Sequence, residues 1–344
     1  MATHDSSAES EGLSVIAAIQ RGEESAFVAL AERYRRELHV HCYRMVASLE
    51  DAEDLVQDTL LRAWRARTAF EGRSSFRAWL YRIATNACLD MLKRRPRRVL
   101  PPDVVKASDP SLDAQGTSDL PWLDPYPERL LESLASSDEG PETAVVRKET
   151  IELSFLAAIQ HLPPRRRAVL ILRDVLGWSA KDSADALGLS VASVNSALQR
   201  ARRTLRDNLP ERRLAWPSTP TSSADDLALL RRYMDVHERG DADGLARLLR
   251  EDARISAPPL PLWYEGRDAI VSATQRLAAA DRFRYLAAGS NMQLAAASYV
   301  RSDGDSVYRP MGIDVLTIES GLVAEITVFL RPDLFKTFGL PAAL

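Results

Sequence analysis

The chain has 344 residues, 46% hydrophobic and 27% charged, with a formal net charge of −3 and an isoelectric point near 6.0. This is the composition of two or three globular domains and excludes a mainly disordered chain. Two cysteines, Cys42 and Cys88, exclude a disulfide framework and point to a reducing, cytoplasmic compartment. The polar, acidic N-terminus does not read as a signal peptide, and without an apolar run of about 18 residues no membrane contact is expected.

The near-neutral average hides a segregation of charge. From Arg73 to Arg98 eight Lys/Arg stand against one acid, Asp90, and from Pro163 to Arg213 eleven stand against five acids. From Asp103 to Glu142 the sign reverses, with ten acids and two bases. Two basic blocks around an acidic one predict two anionic contact sites joined by a solvated tether.

Residues 13 to about 95 read as helices. Val15, Ile16 and Ile19 open an apolar pattern that Phe27, Leu30, Tyr34 and Leu38 continue. Over Asp51–Trp64, Val56, Leu60 and Trp64 form one stripe, with Asp51, Asp54 and Asp58 opposite. The next helix, Ser75 to about Arg95, is expected to bury Phe76, Leu80, Ile83, Ala87 and Met91 and to expose Arg82, Asn86 and Lys93, until Pro96 ends it. The aromatics Phe70, Phe76, Trp79 and Tyr81 alternate with Arg73, Arg77 and Arg82, a mixture suited to single-stranded nucleic acid. Phe76 and Trp79 are nonetheless read as core, which leaves Arg73, Ser74, Ser75, Arg82 and Asn86 for strand contact.

Residues 96–142 hold eight of the nineteen prolines and read as a linker. Trp122, Leu123, Tyr126, Leu130 and Leu131 stand out within it, because such side chains are costly to leave in water. They are either a local cluster docking on its own domain or a docking peptide for a partner or for the C-terminal domain. Residues 143–209 are helical again and contain a helix-turn-helix pattern. Ser179 caps a first helix running through Ala184 and Leu187, Gly188 makes the turn, Leu189 plugs the angle and Ser190 caps the second helix. On that helix Val194, Leu198, Ala201 and Leu205 form the apolar stripe. Ser193, Ser196, Gln199, Arg200 and Arg203 lie opposite, with groups that read base edges and neutralise phosphates. After a second linker, 210–223, the character changes. Helices over Ala224–Arg239 and Ala242–Arg250 precede strands at Ala253–Ala257, Tyr285–Leu294, Ala296–Arg301, Ile313–Ile318 and Leu322–Leu330, the last pair joined by Glu-Ser-Gly as a hairpin.

The segments Asp51–Trp64 and Phe76–Asp90 resemble region 2 of sigma-70-type factors, and Leu162–Leu170, Gly177–Ala180 and Ala197–Arg202 resemble region 4. The resemblance spans Leu13–Leu209, and the direct step from region 2 to region 4 is the extracytoplasmic-function (ECF) pattern. It implies that Asp51, Asp54, Gln57 and Asp58 grip core RNA polymerase. Arg73, Ser74, Ser75, Arg82, Asn86 and Lys93 would act on the −10 element of promoter DNA, and Ser193, Ser196, Gln199, Arg200 and Arg203 on the −35 element. The acidic linker would follow the RNA exit path. Residues 224 to about 335 are similar to the SnoaL-like fold, related to nuclear transport factor 2, most tellingly at Trp263–Ile270. Some sigma factors carry such a domain in place of a separate anti-sigma protein, and the Trp122–Pro127 patch resembles linker motifs of that subgroup.

The expected fold class is therefore multidomain. It comprises a region 2 helical bundle (13–98), an acidic linker (99–142), a region 4 helix-turn-helix (143–209), a linker (210–223), an α+β SnoaL-like cone (224–335) and a tail (336–344). The C-terminal domain would act in cis on the sigma activity. Trp263, Tyr264, Tyr308 and Asp314 are candidates for lining a pocket that holds a small-molecule ligand, whereas Asp252 is read as capping or terminating a helix. General acid–base chemistry needs carboxylates or His gathered in a pocket, and with no His beyond His237 and no diagnostic acid pair, an enzyme, cofactor or metal is not expected. His39, His41 and Cys42 form the one metal-like cluster, which is too small a ligand set and reads as packing. The competing readings are a stand-alone helix-turn-helix repressor and a fusion whose SnoaL-like domain is an active isomerase or hydrolase.

Overall fold

The computed structural model describes residues 21–70, 75–110, 118–132, 151–208, 223–280 and 282–344. The chain divides into two compact units, Met1–Arg97 with Ala158–Asn208 and Arg98–Ala157 with Leu209–Leu344.

The first unit is helical. Helix α1 (Glu24–Val46) turns at Ala47, in the left-handed conformation, into α2 (Leu49–Arg65), whose first turn is capped by Ser48 accepting the Asp51 N–H at 3.3 Å. The buried stripe of α2 is Ala52, Leu55, Val56, Thr59 and Ala63, so Leu60 and Trp64, expected in the core, are only half-buried. Helix α3 (Phe76–Leu92) packs on α1 and α2, and further helices of the unit cover its other side. It therefore buries almost all round, through Trp79, Leu80, Tyr81, Ala84, Cys88 and Leu89, while the expected core residues Ile83 and Met91 are half-exposed.

The later helices of this unit follow α4 (Arg129–Glu132) and α5 (Leu153–Gln160) in the chain. Helix α6 (Pro164–Leu170) opens with proline, whose missing N–H is not needed there, and runs on as a π-helical turn over Ile171–Val175. Helices α7 (Ala180–Leu187) and α8 (Val191–Asn208) form the expected helix-turn-helix. Ser179 Oγ accepts the Asp182 N–H at 3.0 Å, Gly188 takes φ 63°, and Ser190 Oγ accepts the Ser193 N–H at 3.1 Å. Val194, Leu198 and Ala201 are buried beneath.

The second unit is built on a sheet of order β2-β1-β6-β5-β4-β3, with β1 (Leu249–Ser256), β2 (Trp263–Glu265), β3 (Arg282–Ser290), β4 (Gln293–Arg301), β5 (Arg309–Glu319) and β6 (Leu322–Phe329). Only β1–β6 is parallel. Helix α9 (Ala224–Arg239) packs on β3 and β4, and α11 (Arg267–Ala280) on β1, with α10 (Ala242–Leu248) between them in the chain. Between them helices and sheet bury Leu230, Tyr233, Leu245, Ile270, Leu316 and Ile326. The Ser320–Gly321 hairpin lies where expected, with positive φ at both residues. The sequence pattern predicts one strand through Tyr285–Leu294, but the chain reverses at Asn291–Met292, both at positive φ, as a two-residue hairpin requires. The helix over 267–280 is not among the elements expected from sequence. A last helix, α12 (Leu334–Phe338), rests Phe335 against Tyr299, with ring centroids 5.1 Å apart.

The described parts of the 99–142 segment are not a solvated tether. Val99, Leu100, Trp122, Leu123 and Tyr126 are buried within this unit. Val99 and Trp122 pair as a parallel bridge, in which the Leu123 N–H donates to Val99 O at 3.1 Å. Burying side chains of this size yields about 1.5–3 kcal/mol each, enough to order a segment rich in proline and acids.

Candidate nucleic-acid interface, linker dock and cavity

On α2, Asp54, Gln57, Asp58 and Leu61 follow i, i+3, i+4, i+7 and share one outward face. Asp54 and Gln57 are exposed, Asp58 holds Arg62 at 2.8 Å, and Leu61 is 54% exposed. Asp51 departs from the expected acidic face. It is buried in the first turn and pairs with Arg95 at 2.5 Å. Leu61 is the addition: an unburied leucine amid carboxylates, invisible to a reading that sorted the helix into one apolar stripe and one acidic face.

On α3, Arg82 and Asn86 are exposed, as is Lys93 just beyond the helix, which pairs with Asp90 at 2.8 Å. That hydrogen bond, with the one from Arg62, holds the Asp90 carboxyl below its ordinary range. Ser75 caps the helix by accepting the Ala78 N–H at 3.1 Å. Arg73 and Ser74 lie outside the described residues. Arg77 turns inward to Glu37 at 2.7 Å, and Tyr81 donates to the same carboxylate at 3.1 Å. Phe70, Phe76 and Trp79 form a mutual ring cluster, which is the core role assigned to Phe76 and Trp79. On α8, Ser193, Ser196, Gln199, Arg200 and Arg203 are all exposed on one side. Arg202, by contrast, is held bidentately by Asp174 at 2.7 and 2.9 Å.

Arg167, the last of a basic triplet, is buried rather than a surface cation. Its guanidinium donates to Ile159 O, to Gln160 O and Oε1, to Leu162 O and to Met45 O. Burial lowers it to about 10, which leaves it cationic at neutral pH. His41 and Cys42 are fully buried and His39 nearly so. His41 Nε2 bonds Thr85 Oγ1 at 2.9 Å, and burial lowers the imidazole to about 3. No group of three metal-ligating side chains occurs among the described residues.

In the second unit the β3–β4 turn grips the linker. Asn291 Oδ1 accepts the Tyr126 N–H at 2.7 Å, the Asn291 N–H donates to Tyr126 O at 2.8 Å, and Nδ2 donates to Ile151 O at 2.7 Å. The Glu128 N–H donates to Gly289 O at 3.1 Å, at a position where a Cβ would collide with the Glu128 side chain. Asp124 meets Arg331 at 3.2 Å, and Arg129 donates to Thr337 O at 2.6 Å. Further back in the linker, Trp263 Nε1 donates to Val105 O at 2.9 Å and Trp263 O accepts the Ser108 N–H at 2.8 Å.

A cavity of about 640 Å³ lies in this same unit. Trp263, Tyr264 and Asp314 line it, as expected. Tyr308 does not: its ring lies by Arg301 and its backbone pairs with Leu344. Asp252 also departs from its expected place, since it is exposed on β1 and paired with Arg250 at 2.8 Å. Tyr233, His237 and Tyr285, which are not among the residues expected from sequence, complete the polar wall. The i, i+4 spacing of Tyr233 and His237 on a helix was the available signal. Tyr233 OH donates to Asp314 Oδ2 at 2.8 Å, while Asp314 Oδ1 has no hydrogen-bond partner among the described residues. Burial raises the Asp314 carboxyl to about 7, against the hydrogen bond from Tyr233, and raises both tyrosine phenols well above their ordinary value. Burial likewise lowers His237 to about 4.

Residues 30–98 match Sigma-70 region 2, residues 152–205 match Sigma-70, region 4, and residues 230–326 match the SnoaL-like domain. The ECF RNA polymerase sigma factor SigG of Mycobacterium tuberculosis is 44% identical over 92% of this chain and 85% of its own length. The chain belongs to the ECF RNA polymerase sigma factors. As an ECF sigma factor it acts with RNA polymerase on promoter DNA to initiate transcription, and the helix-turn-helix is one of its two sigma modules. The RNA polymerase sigma-H factor of Pseudomonas aeruginosa is 33% identical over 54% of this sigma factor and 88% of its own length, a share about that of the two sigma regions. The crystal structure of the M. tuberculosis ECF sigma factor SigJ shares the fold, with TM-score 0.55 and 22% identity over 92% of this chain and 99% of that one.

Proposed function

We propose that this sigma factor, working in the cytoplasm, docks on core polymerase through the α2 face Asp54, Gln57, Asp58 and Leu61. In this reading Asp51 supports that face from within through Arg95. Arg82, Asn86 and Lys93 act on the −10 element together with Arg73, Ser74 and Ser75, and the α8 face Ser193, Ser196, Gln199, Arg200 and Arg203 reads the −35 element. The C-terminal domain modulates this activity in cis, and full promoter output depends on it.

The observation that carries the last point is the Asn291 clamp. Its side chain spends both its acceptor and its donor on backbone of the segment joining the two sigma regions, at Tyr126 and Ile151. A domain that holds the linker governs how that linker is presented to the polymerase, and tethering lets modest contacts suffice. The test is run-off transcription from one promoter by the full chain, by a chain ending near Pro217, and by Asn291→Gly. Glycine keeps the positive φ of the turn and deletes the side-chain bonds of the clamp, together with the Ser290 Oγ bond to Oδ1. Output should fall in both variants at unchanged core-polymerase affinity. Equal output from all three would refute regulation in cis.

A further inference from the structure

The cavity is a built site that promoter recognition does not use. Its volume of about 640 Å³ lies within the range of small-molecule pockets, about 300–1,000 Å³. Ile255, Leu262, Ile270, Phe283, Met311 and Val328 make the wall mostly apolar. Ala296, Asp314 and Val328 lie side by side on neighbouring strands, and Ala296 and Val328 belong to the apolar core, so the Asp314 carboxyl stands in an apolar row. A buried carboxyl oxygen without a partner costs free energy that a purely structural cavity could avoid with leucine. His237 adds a second polar group. Its Nδ1 lies 2.8 Å from the Tyr233 carbonyl, which can only accept, so the proton sits on Nδ1 and Nε2 is left as an acceptor. The carboxyl is raised to about 7 by burial, so it carries a proton for much of the time near neutrality and can donate as well as accept. Arg276, the one Arg or Lys on the wall, is exposed.

A group that both donates and accepts matches this set, and a hydroxyl is the simplest. A carboxylate would oppose Asp314, and a pure hydrocarbon would leave Asp314 Oδ1 unpaired. The cavity also touches the linker through its own wall. Trp263 lines it while donating to Val105 O, and the lining residues Leu330 and Pro332 flank Arg331, which holds Asp124.

We propose that the cavity binds a neutral, mainly apolar small molecule bearing a hydroxyl group, seated on Asp314, Tyr233 and His237, and that Trp263 transmits its occupancy to the linker at Val105–Ser108. The transmission, though not the binding, rests on the reading that the C-terminal domain works through the linker.

The probes are 1-hydroxypyrene, pyrene and pyrene-1-carboxylate, titrated by fluorescence into the full-length chain. 1-Hydroxypyrene should saturate at one site and bind about tenfold more tightly than pyrene, the worth of one hydrogen bond to a buried group, and the carboxylate should bind weakest. Asp314→Leu should remove the advantage of 1-hydroxypyrene over pyrene, and Asp314→Asn, which keeps shape and hydrogen-bonding capacity, should keep most of it. Hydrogen exchange then reads the linker: saturation with 1-hydroxypyrene should change protection of the Ser108 amide and its neighbours. In Trp263→Phe, which retains an aromatic wall but loses the indole N–H, binding should persist without that change. No saturable binding, or equal affinity for all three probes, overturns the site. Binding without any exchange response in the linker overturns the transmission. If Asn291→Gly and the truncated chain transcribe normally while the ligand still alters linker exchange, regulation in cis fails and the site stands.

Discussion

Arg167 carries a full charge into the interior of the helical unit, where its hydrogen-bond partners among the described residues are backbone carbonyls and the Gln160 amide oxygen. Burying a cation is tolerable only when its N–H groups are spent, and here they tie α6 to the end of α5 and to Met45 at the end of α1. Arg167→Ala would leave those carbonyls unpaired and should cost about 2–4 kcal/mol in urea denaturation, with Arg167→Lys only a partial rescue because one ammonium cannot span them. An unchanged midpoint would mean that water replaces the side chain at no cost. Asp314 makes a pH-dependent contribution. Its carboxyl stands at about 7 in the folded chain against about 3.9 unfolded, so between those values the folded chain holds a proton that the unfolded chain has released. Its contribution to stability therefore falls as pH rises through about 4 to 7. His237 works the other way. Lowered to about 4 from about 6.5, it costs stability as pH falls from about 6.5 to 4, and His41 in the helical unit acts in the same sense. Tyr233 and Tyr285, the other titratable groups against Asp314, stay neutral across this range. Asp314→Asn should thus gain stability relative to the parent as pH is raised from 4.5 to 8, by on the order of 1.4 kcal/mol per unit of lost shift. Denaturation curves at matched pH decide it, and a constant difference would mean that the carboxyl is not held protonated.

At the scale of elements, the helix-turn-helix was the most legible part of the chain. Its caps, its glycine turn and its apolar period are local, and local signals survive into the fold because nothing distant competes with them. Arg200→Ala and Arg203→Ala should each weaken the upstream promoter element. A lost base contact costs about 1–3 kcal/mol at one base pair, whereas a lost phosphate contact weakens all sequences alike, and a panel of promoter variants separates the two. Undiminished transcription on every variant would remove α8 from the reading role. Helix α2 was legible in its acidic character but not in its register. The stripe turned toward Leu55 and Thr59 because α1 and α3 both cover it, which pulled Asp51 under Arg95 and left Leu61 outside. Leu61→Asp and Asp54→Lys should each reduce core-polymerase capture about tenfold or more while leaving thermal stability within about 0.5 kcal/mol, as expected of exposed positions. Unchanged capture by both would move the docking surface elsewhere.

For the molecule as a whole, a net charge of −3 sets the two basic blocks against an acidic segment on the same chain. Free full-length protein should bind promoter duplex weakly at physiological salt, because counterion release by a few arginines is opposed by that acidity. A filter-binding titration with and without core polymerase tests this, and tight sequence-specific binding by the free chain would favour a stand-alone repressor. No described helix is long and apolar enough to cross a membrane.

The sequence by itself determined the two sigma modules, the caps of the helix-turn-helix and the exposed face of α8, because these depend on residues within one or two helical turns of each other. It also determined that Trp122, Leu123 and Tyr126 needed cover, since apolar surface of that size is unstable in water. What covers them was decided by tertiary structure. For Tyr126 the partner belongs to the Asn291 turn, more than 160 positions away in the chain. The same holds for the cavity. Tyr233, Tyr285 and Asp314 meet only when α9 crosses the sheet, and only that enclosure, with its low polarity, moves the carboxyl to about 7. Burial, pairing and proton affinity of this kind are properties of a neighbourhood, and a neighbourhood assembled from distant segments has no signature in the order of residues.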